Sequence, residues 1–392
     1  MLSYTSNLLP AETVADLVDR TLPFFGQVRR QLGWSALGLD LHLGHALLTS
    51  LRADAGALDR VTATSADHGL TVCSINAFPL QPFQGGRVKD GAYHPDWSSD
   101  ARLEATCIAI DLALALTAQP EICISTVPGS YAPWGGSQAQ RAAIAQRLGR
   151  AAAHAWRASQ QHHRRVIVAL EPEPQCTIER IDQALALWRD DLPTWAVPAA
   201  AIALDGDGAA AQAAIAEHLG LCLDACHLAV GFEDPAAAVA AVSAAGIPIA
   251  KIHISACPEV REPGRHRQAV AALAAWDEPR FLHQTAWQDS AGTVHQLPDL
   301  DALRADDPAL DAASCLRSHF HVPVHRPLPL PAVGTTAAVA LALLAALRAQ
   351  GGDPAVAIET YTWSLFAADD QALAEGVAAE LAWLAARDGD RA

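Results

Sequence analysis

Lysine is nearly missing from this chain of 392 residues, in which only two of the 27 basic residues, Lys89 and Lys251, are lysines. The basic residues are outnumbered by 43 acidic ones, which gives a formal net charge of −16. Such a balance repels phosphate, and no run of lysine or arginine offsets it, so we do not expect a nucleic-acid partner. In so small a set, each lysine becomes a candidate for a specific role.

Aromatic residues are also scarce, at 6%, and charged residues make up 18%, below the usual quarter. Hydrophobic residues nevertheless account for 51% of the chain, which excludes a disordered or collagen-like protein. The eight cysteines show no paired framework, and no second Cys or His pair joins Cys222 and Cys226 in a structural zinc motif. We therefore expect reduced, buried thiols.

Long hydrophobic runs are absent as well. The first twenty residues have neither a basic segment nor an extended apolar one, so no signal peptide is visible. The longest charge-free apolar helix candidate, residues 337–347, is too short for a bilayer, which takes about 20 residues. These features predict a cytoplasmic protein without a transmembrane segment.

Short apolar runs of β type alternate along the chain with Ala- and Leu-rich helical patterns such as 11–32, 137–162 and 234–245. The predicted strands are residues 3–8, 36–43, 71–78, 121–127, 166–171, 220–224, 249–255 and 356–362. Strand and helix repeated eight times imply parallel pairing through crossover helices. The pattern predicts one α/β domain over residues 1–392, a (β/α)8 TIM barrel, because such barrels reach this length with insertions.

Two segments interrupt the alternation. Residues 81–97 form a long loop after the third strand, in which Arg87, Lys89 and Tyr93 stand among glycines and prolines. This composition fits a lid over the barrel mouth, although a packed surface loop is an equal alternative. Residues 257–331 form an insertion between the seventh strand and the last crossover helix, with strand-like pieces at 280–288 and 316–325. Ordered loops of this length usually carry function.

Metal-capable side chains stand at the C-terminal ends of the last four strands. They are Glu171 and Glu173 in VIVALEPEP, Asp224 and His227 in LCLDACH, His253 in AKIHISA and Glu359 in AIETYTW. In a parallel barrel these strand ends meet at one mouth, where activity is found. Taken singly, each residue is more simply a loop cap, a salt-bridge partner or a core histidine. Their recurrence on four successive strands favours a shared site.

The cost of buried charge indicates what that site holds. Glu171, Asp224 and Glu359 each follow an apolar run, and burying a lone carboxylate is expensive unless it is paired or bound to metal. Three converging carboxylates repel one another unless one takes up a proton or a cation binds them. With His253 they make a mixed oxygen and nitrogen set suited to one Mn²⁺, Mg²⁺, Co²⁺ or Zn²⁺ ion.

Further polar residues are candidates for substrate contacts. Lys251 shares a strand face with His253 and either orients a substrate hydroxyl or pairs with a barrel acid. Asn76 ends the third strand and either binds a polyol or caps the strand. In the insertion, His283, His319 and His321 either line the mouth, as substrate contacts or a second metal site, or pack in a hairpin on the rim. If 316–325 is a strand, His319 and His321 share a face.

The chain resembles the xylose isomerase-like TIM-barrel superfamily of sugar isomerases and epimerases. That superfamily places Glu, Asp, His and Glu on the fifth to eighth strands around one divalent metal, and Glu171, Asp224, His253 and Glu359 match in order and strand. The resemblance implies that the two glutamates are also the catalytic acid/base pair, and that His227, in the D-x-x-H motif, contacts substrate. Glu173 and the His-rich insertion are not general features of the sugar epimerases.

A closer resemblance covers most of the chain. The segments FPLQPFQGGRVKDGAYHPDW, ISTVPGSYAPW, LEPEP, LDACH, HFHVPV and ETYTW are similar to those of the EboE metabolite traffic proteins. Those proteins are encoded in clusters with a prenyltransferase-like partner and are linked to handling of a secreted or exported metabolite. This resemblance implies a barrel and a role in metabolite biosynthesis or traffic, but it hardly specifies the reaction. Pathway partner proteins are possible, and so is an oligomer.

Together these features predict an isomerase or epimerase that acts on a sugar, cyclitol or related polyhydroxy metabolite. One Glu removes a proton beside a carbonyl, a metal-stabilised enediolate forms, and the other Glu returns the proton. No organic cofactor is expected. Two alternatives remain: a metal-dependent phosphoester hydrolase, whose two or three ions the extra histidines would help to bind, and a carrier that binds a metabolite without turnover.

Overall fold

A computed structural model describes residues 1–84, 86–276 and 278–388. Its strands, in chain order, are β1 (Leu2–Thr5), β2 (Leu37–His42), β3 (Leu70–Asn76), β4 (Glu121–Thr126), β5 (Arg165–Leu170), β6 (Leu219–Asp224), β7 (Ile249–Ile254), β8 (Pro258–Arg261), β9 (Thr285–Asp289), β10 (Val294–Leu297), β11 (Ala313–Ser318), β12 (Gly334–Thr335) and β13 (Ala355–Ile358). Eight of them close a barrel in the order β1-β13-β7-β6-β5-β4-β3-β2, and all eight neighbouring pairs are parallel. The predicted (β/α)8 barrel is confirmed.

All eight predicted strands correspond to barrel strands, but two end three or four residues early. β1 stops at Thr5, and the next three residues, Ser6–Leu8, form a 3-10 turn. β13 stops at Ile358, so the polar residues that follow it belong to the loop at the mouth. An apolar run therefore marks where a strand lies, whereas the point at which the backbone leaves the barrel depends on tertiary hydrogen bonds.

The helices surround the barrel. They are α1 (Val14–Asp16), α2 (Leu22–Leu32), α3 (His45–Ala53), α4 (Ala55–Asp67), α5 (Asp100–Leu116), α6 (Gln138–His162), α7 (Ile181–Ala186), α8 (Val197–Ala203), α9 (Gly208–His218), α10 (Ala225–Val230), α11 (Pro235–Ala244), α12 (Arg267–Ala274), α13 (Ala337–Ala349) and α14 (Asp370–Asp388), with π-helical turns at Leu17–Thr21 and Leu187–Ala196. Within the described ranges, no helix has the length and apolarity needed to cross a membrane.

Local signals in the sequence explain where the predicted helices begin. Ser137 and Asp234 are N-caps whose side chains accept hydrogen bonds from backbone N–H groups in the first turns of α6 and α11. Alanine takes the place of larger core residues, which lets helices approach closely. At Gly149 in α6, a Cβ atom would lie 2.2 Å from the carbonyl oxygen of Ala196, so only glycine fits this contact.

The insertion folds into a second, antiparallel sheet with the strand order β10-β9-β11-β8-β12, and this sheet extends to Thr335, beyond the predicted end at residue 331. The strand predicted at 316–325 is wrong in its bounds, because β11 ends at Ser318. After that point the chain turns toward the barrel, where the Val322 N–H donates to the carbonyl of Ala256 at 2.8 Å. His319 and His321 therefore lie in a loop at the mouth rather than on a strand.

The segment at 81–97, of which Gly85 lies outside the described residues, crosses the mouth and contacts the insertion. The backbone N–H groups of Val88 and Lys89 donate to the carbonyl of Arg280 at 2.7 and 2.9 Å. The side chain of Gln84 donates to the carbonyl oxygens of Asn7 and Tyr361. The loop therefore has the placement of a lid, held on one side by the barrel and on the other by the insertion.

Candidate metal centre and active site

Glu171, Asp224, His253 and Glu359 converge at the C-terminal mouth of the barrel. Glu171 follows β5, Asp224 ends β6, His253 lies in β7 and Glu359 follows β13. One ligand atom from each lies within 4.8 Å of the others, and all four residues are buried. Asp224 and His253 are also register partners on adjacent strands. The predicted ligand set is thus brought together by parallel strands that all end at one level.

His253 stands at the centre of this cluster. Its Nδ1 atom lies 2.7 Å from Glu171 Oε1, 3.3 Å from Glu359 Oε2 and 3.8 Å from Asp224 Oδ2. Three carboxylates around one imidazole nitrogen form an oxygen-rich donor set for a single divalent cation. The residues present therefore fit the metal that the sequence predicts, with Nδ1 as the nitrogen ligand.

The two glutamates of the cluster differ in acidity. Burial raises the pKa of Glu359, and the neighbouring charge of Glu171 adds to the rise. Burial also opposes ionisation of Glu171, but the contact with His253 outweighs it and lowers the pKa of Glu171 below its usual range. The side chains of Asn7 and Asn76 donate to Glu359 Oε1 at 2.8 and 3.3 Å. The surroundings thus push the pKa values of the two carboxyl groups in opposite directions.

Asp40, on β2, is a site residue that sequence reasoning missed. Its Oδ2 atom accepts from His253 Nε2 at 3.2 Å, which leaves Nδ1 of that ring facing the carboxylates. A carboxylate behind a metal-binding imidazole fixes the ring and raises its basicity. Ser74 and Thr5 also donate to Asp40, at 2.6 and 2.9 Å. The sequence signal that could have identified Asp40 is an acidic residue within a largely apolar strand, LGLDLH.

Lys251 lies beneath this centre and does not line the cavity in the described structure. Its Nζ atom donates to Asp40 Oδ1 at 2.8 Å and to Ser125 Oγ at 2.6 Å, and its side chain is 0% exposed. The structure thus places Lys251 in a buried pair with a barrel acid, which is the alternative to a substrate contact. The neighbouring charge of Asp40 raises the pKa of Lys251 against the effect of burial.

Three further histidines reach the mouth, and a fourth lies on its rim. His227, from the barrel, lines the cavity. His319 and His321, from one loop of the insertion, also line it. His283 does not: its Nδ1 donates to the carbonyl of His319 at 2.8 Å, and its ring stacks on Phe320 with centroids 4.1 Å apart. A direct substrate contact for His283 is therefore not supported, because its ring packs inside the insertion.

Glu173 and Asn76 also line the cavity, as expected for substrate contacts. Tyr93, from the lid, donates its hydroxyl hydrogen to Glu173 Oε1 at 2.8 Å. Burial raises the pKa of Glu173 well above its usual range, and the charges of Glu171 and Glu359 add to that rise. The lid thus contributes a polar group next to the candidate centre.

The cavity above the centre has a volume of about 60 Å³, and residues of the lid form part of its lining. One wall is aromatic, because the rings of Phe83, Phe281 and Tyr361 pack with centroids 4.5 to 5.2 Å apart. The opposite side carries the polar residues of the barrel mouth. The chamber therefore combines a charged floor with an apolar wall that faces a small ligand.

The protonation of His253 predicts how metal affinity changes with pH. Burial opposes charge on this ring, but Glu171 and Glu359 outweigh it and raise the pKa of His253 well above its usual range. The thiol of Cys222, which lies beside this ring, adds no negative charge at pH 7, because burial raises the pKa of that thiol to about 12. A cation must displace the proton on Nδ1, so affinity should rise with pH by about tenfold per unit for one proton. Calorimetry in buffers of different ionisation enthalpy measures this release, and binding without proton release contradicts the prediction.

The ion pair between Lys89 and Asp299 predicts how firmly the lid is closed. Both side chains are largely buried, at 14% and 11% exposure, and the pair joins the lid to the insertion. Lys89→Ala should cost the closed lid about 1.5 kcal/mol, the worth of a charged hydrogen bond, and accelerate amide exchange in residues 86–97 roughly tenfold. Arg87→Ala, at an exposed position of the same loop, is the control. Equal exchange in the Lys89 variant and the wild type would show that the pair does not hold the lid.

Comparison with known proteins yields structural likenesses only. No family model matches the chain, and no curated protein matches its sequence. Similar solved structures include an L-ribulose 3-epimerase, with 17% identity, a TM-score of 0.48, and coverage of 97% of this chain and 95% of that one. Another is an IOLI protein with a bound zinc atom, at 12% identity, a TM-score of 0.48, and 99% and 97% coverage. A xylose isomerase domain protein from Planctomyces limnophilus has 13% identity, a TM-score of 0.47, and 96% and 92% coverage.

The closer resemblance to the EboE proteins stays a prediction. The closed barrel of eight strands in this chain establishes the fold independently of these comparisons. The chain is thus a TIM barrel.

Proposed function

We propose that the protein is a divalent-metal-dependent isomerase or epimerase that acts on a sugar, a cyclitol or a related polyhydroxy metabolite. One observation carries the proposal: of the four clustered residues, Glu171 and Glu359 line the cavity, while Asp224 and His253 do not. Two carboxyl groups of the cluster thus border the space for a substrate. This is the arrangement that proton removal and return on one small molecule require.

The acidity of the two glutamates supports this assignment. Glu171, with a lowered pKa, is available as the base that removes a proton from the carbon beside a carbonyl. Glu359, with a raised pKa, is the better candidate for the group that returns the proton. Environments that push two neighbouring pKa values apart commonly mark an acid and a base. Return of the proton to the same carbon gives epimerisation, and return to the adjacent carbon gives isomerisation.

The bound metal would act as a Lewis acid that polarises the carbonyl and stabilises the negative charge that develops on oxygen. The protein's own residues orient the reacting groups. Asn7 and Asn76 hold Glu359 Oε1, and Asp40 holds the ring of His253. Closure of the lid over a substrate would exclude bulk water and strengthen these electrostatic interactions.

Deuterium exchange from solvent tests this function across a range of candidate substrates. We expect that metal-loaded protein in D2O places deuterium beside the carbonyl of at least one compound in a panel of ketoses and keto-cyclitols, as read by NMR. Protein stripped with a chelator is the control, and it should exchange no faster than buffer. If no compound exchanges although the metal is bound, the proposal fails, and a carrier that binds a metabolite without turnover becomes the better account.

The resemblance to the EboE proteins supports a place for this reaction in the biosynthesis or traffic of a metabolite, with pathway partner proteins, and we place the reaction in the cytoplasm. Copurification of a small molecule with the protein, followed by mass spectrometry, is the direct approach to that metabolite. A compound without adjacent hydroxyl and carbonyl groups would argue against isomerisation.

A second candidate, metal-dependent phosphoester hydrolysis, is favoured by the histidines at the mouth. Asp224, His227 and His321 offer ligand atoms within 4.8 Å of one another, beside the four-residue centre. Multi-metal sites of this kind suit phosphoryl displacement. Release of nitrophenol from bis(p-nitrophenyl) phosphate by metal-loaded protein, absent after chelation, would support hydrolysis over isomerisation.

A further inference from the structure

The rings of His227 and His319 face each other with unprotonated nitrogens. Nδ1 of His227 lies 2.9 Å from the carbonyl oxygen of Pro172, which only accepts, so Nδ1 carries the hydrogen. Nδ1 of His319 lies 2.7 Å from Oε1 of Gln284. The orientation of that amide is fixed, because its Nε2 donates to the carbonyl of Pro174 at 3.1 Å and to the hydroxyl of Tyr93. Nε2 is therefore the lone-pair nitrogen in both neutral rings.

These two nitrogens lie 3.1 Å apart, with both rings buried and no hydrogen available between them in the neutral forms. Two acceptors at this distance repel unless a proton or a cation lies between them. The spacing is close to the roughly 3.3 Å that separates two imidazole nitrogens on a tetrahedral zinc ion at 2.0–2.1 Å. The pair thus has the geometry of two ligands to one cation.

A third ligand stands beside the pair. Glu173 offers a carboxylate oxygen within 4.8 Å of the ligand nitrogens of His227 and His319. Its Oε1 accepts from Tyr93, whereas its buried Oε2 has no hydrogen-bond partner among the described residues. A buried oxygen without a partner is costly, and a cation would relieve that cost.

We propose that Glu173, His227 and His319 hold a second divalent cation, separate from the centre of Glu171, Asp224, His253 and Glu359. Two imidazoles and one carboxylate match the ligands of a zinc site in which three protein groups leave one position open. All three residues line the cavity, so the open position faces the ligand space. The site selects Zn²⁺ or Co²⁺ over Mg²⁺, because imidazole nitrogen suits the former and Mg²⁺ prefers oxygen.

This inference goes beyond the proposed function and does not depend on the reaction. A second cation in the same chamber would add positive charge near a developing oxyanion. Hydrolysis would use the second cation to activate water. His319 belongs to the insertion, while Glu173 and His227 belong to barrel loops, so the site exists only because the insertion folds over the mouth.

The test is a Co²⁺ titration of chelator-stripped full-length protein, read by visible absorption and by metal analysis after desalting. We expect two equivalents for the wild type and one for His319→Ala, with affinity for the lost ion reduced on the order of 100-fold. Glu173→Gln should weaken the same ion and keep the hydrogen bond from Tyr93. His295→Ala removes an exposed histidine from the same insertion and should retain two equivalents.

The outcomes separate this site from the first one. One equivalent in the wild type, lost in Glu171→Gln but retained in His319→Ala, would overturn the second site and leave the proposed function standing. One equivalent in the wild type that is lost in His319→Ala but retained in Glu171→Gln would support the second site and overturn the proposed function. If His319→Ala fails to fold by circular dichroism, Glu173→Gln decides: two ions bound with wild-type affinity in that variant would refute the site.

Discussion

Replacing Glu359 by glutamine should reduce solvent deuterium exchange into the substrate by about 10²- to 10⁴-fold, the usual range for a lost acid/base group. Glutamine has nearly the same shape, and its carbonyl oxygen still accepts from Asn7 and Asn76, which donate to Oε1 in the wild type. It carries no exchangeable carboxyl proton, so proton delivery stops. Asp224, His253 and Glu171 remain, and the variant should still bind metal.

Glu171→Gln should lose exchange to a similar degree and bind metal more weakly, because it also removes the charge that faces His253 at 2.7 Å. Glu375→Gln, at an exposed position on α14, is the matched control and should behave as the wild type. The decisive comparison uses metal-loaded samples only. If both active-site variants bind metal yet exchange every compound at the wild-type rate, the two glutamates are not the acid/base pair.

Lys251→Met should destabilise the protein by about 3–5 kcal/mol, the cost of leaving one partner of a buried ion pair without its counter-charge. Lys251 and Asp40 are both 0% exposed in the barrel interior, and their charged atoms lie 2.8 Å apart. Methionine fills similar volume, so the loss comes from charge rather than packing. Urea denaturation at pH 7 measures the free energy of unfolding of each variant.

Asp40→Asn provides the other arm of a double-mutant cycle. Alone, it leaves Lys251 without a counter-charge and should cost a similar amount, whereas the double variant should recover most of the loss because no buried charge remains. Asp40→Asn should also weaken metal binding by about 10- to 100-fold through the ring of His253. If the effects of the two single changes simply add in the double variant, the pair is not coupled as the structure indicates.

How much of the site was foreseeable depends on the kind of contact. The candidate ligands Glu171, Asp224, His253 and Glu359 were predicted because each follows or ends an apolar run, and parallel strands carry such positions to one mouth. Lys251 was placed on the correct face, yet its partner was not identified. Asp40 lies 211 residues away in the chain, and only barrel closure brings β2 within reach of β7 across the interior.

The insertion shows that side-chain periodicity alone does not predict where a strand ends. The sequence predicted that His319 and His321 would share a strand face, but they lie in a loop after β11 that enters the mouth. Their burial depends on long-range hydrogen bonds, such as His319 N–H to the carbonyl of Gln284 at 2.8 Å. Local pattern does not encode such contacts, since each requires that two distant segments have already folded.

The sequence by itself determined the barrel, its eight strands and the four residues at its mouth, because hydrophobic alternation and strand-end position are local properties with a fixed geometric consequence. Only the tertiary structure decided that Lys251 pairs with Asp40, that His283 packs inside the insertion, and that Glu173, His227 and His319 meet. These juxtapositions join residues on separate segments, and their positions are set by the packing of the whole chain rather than by neighbours in sequence.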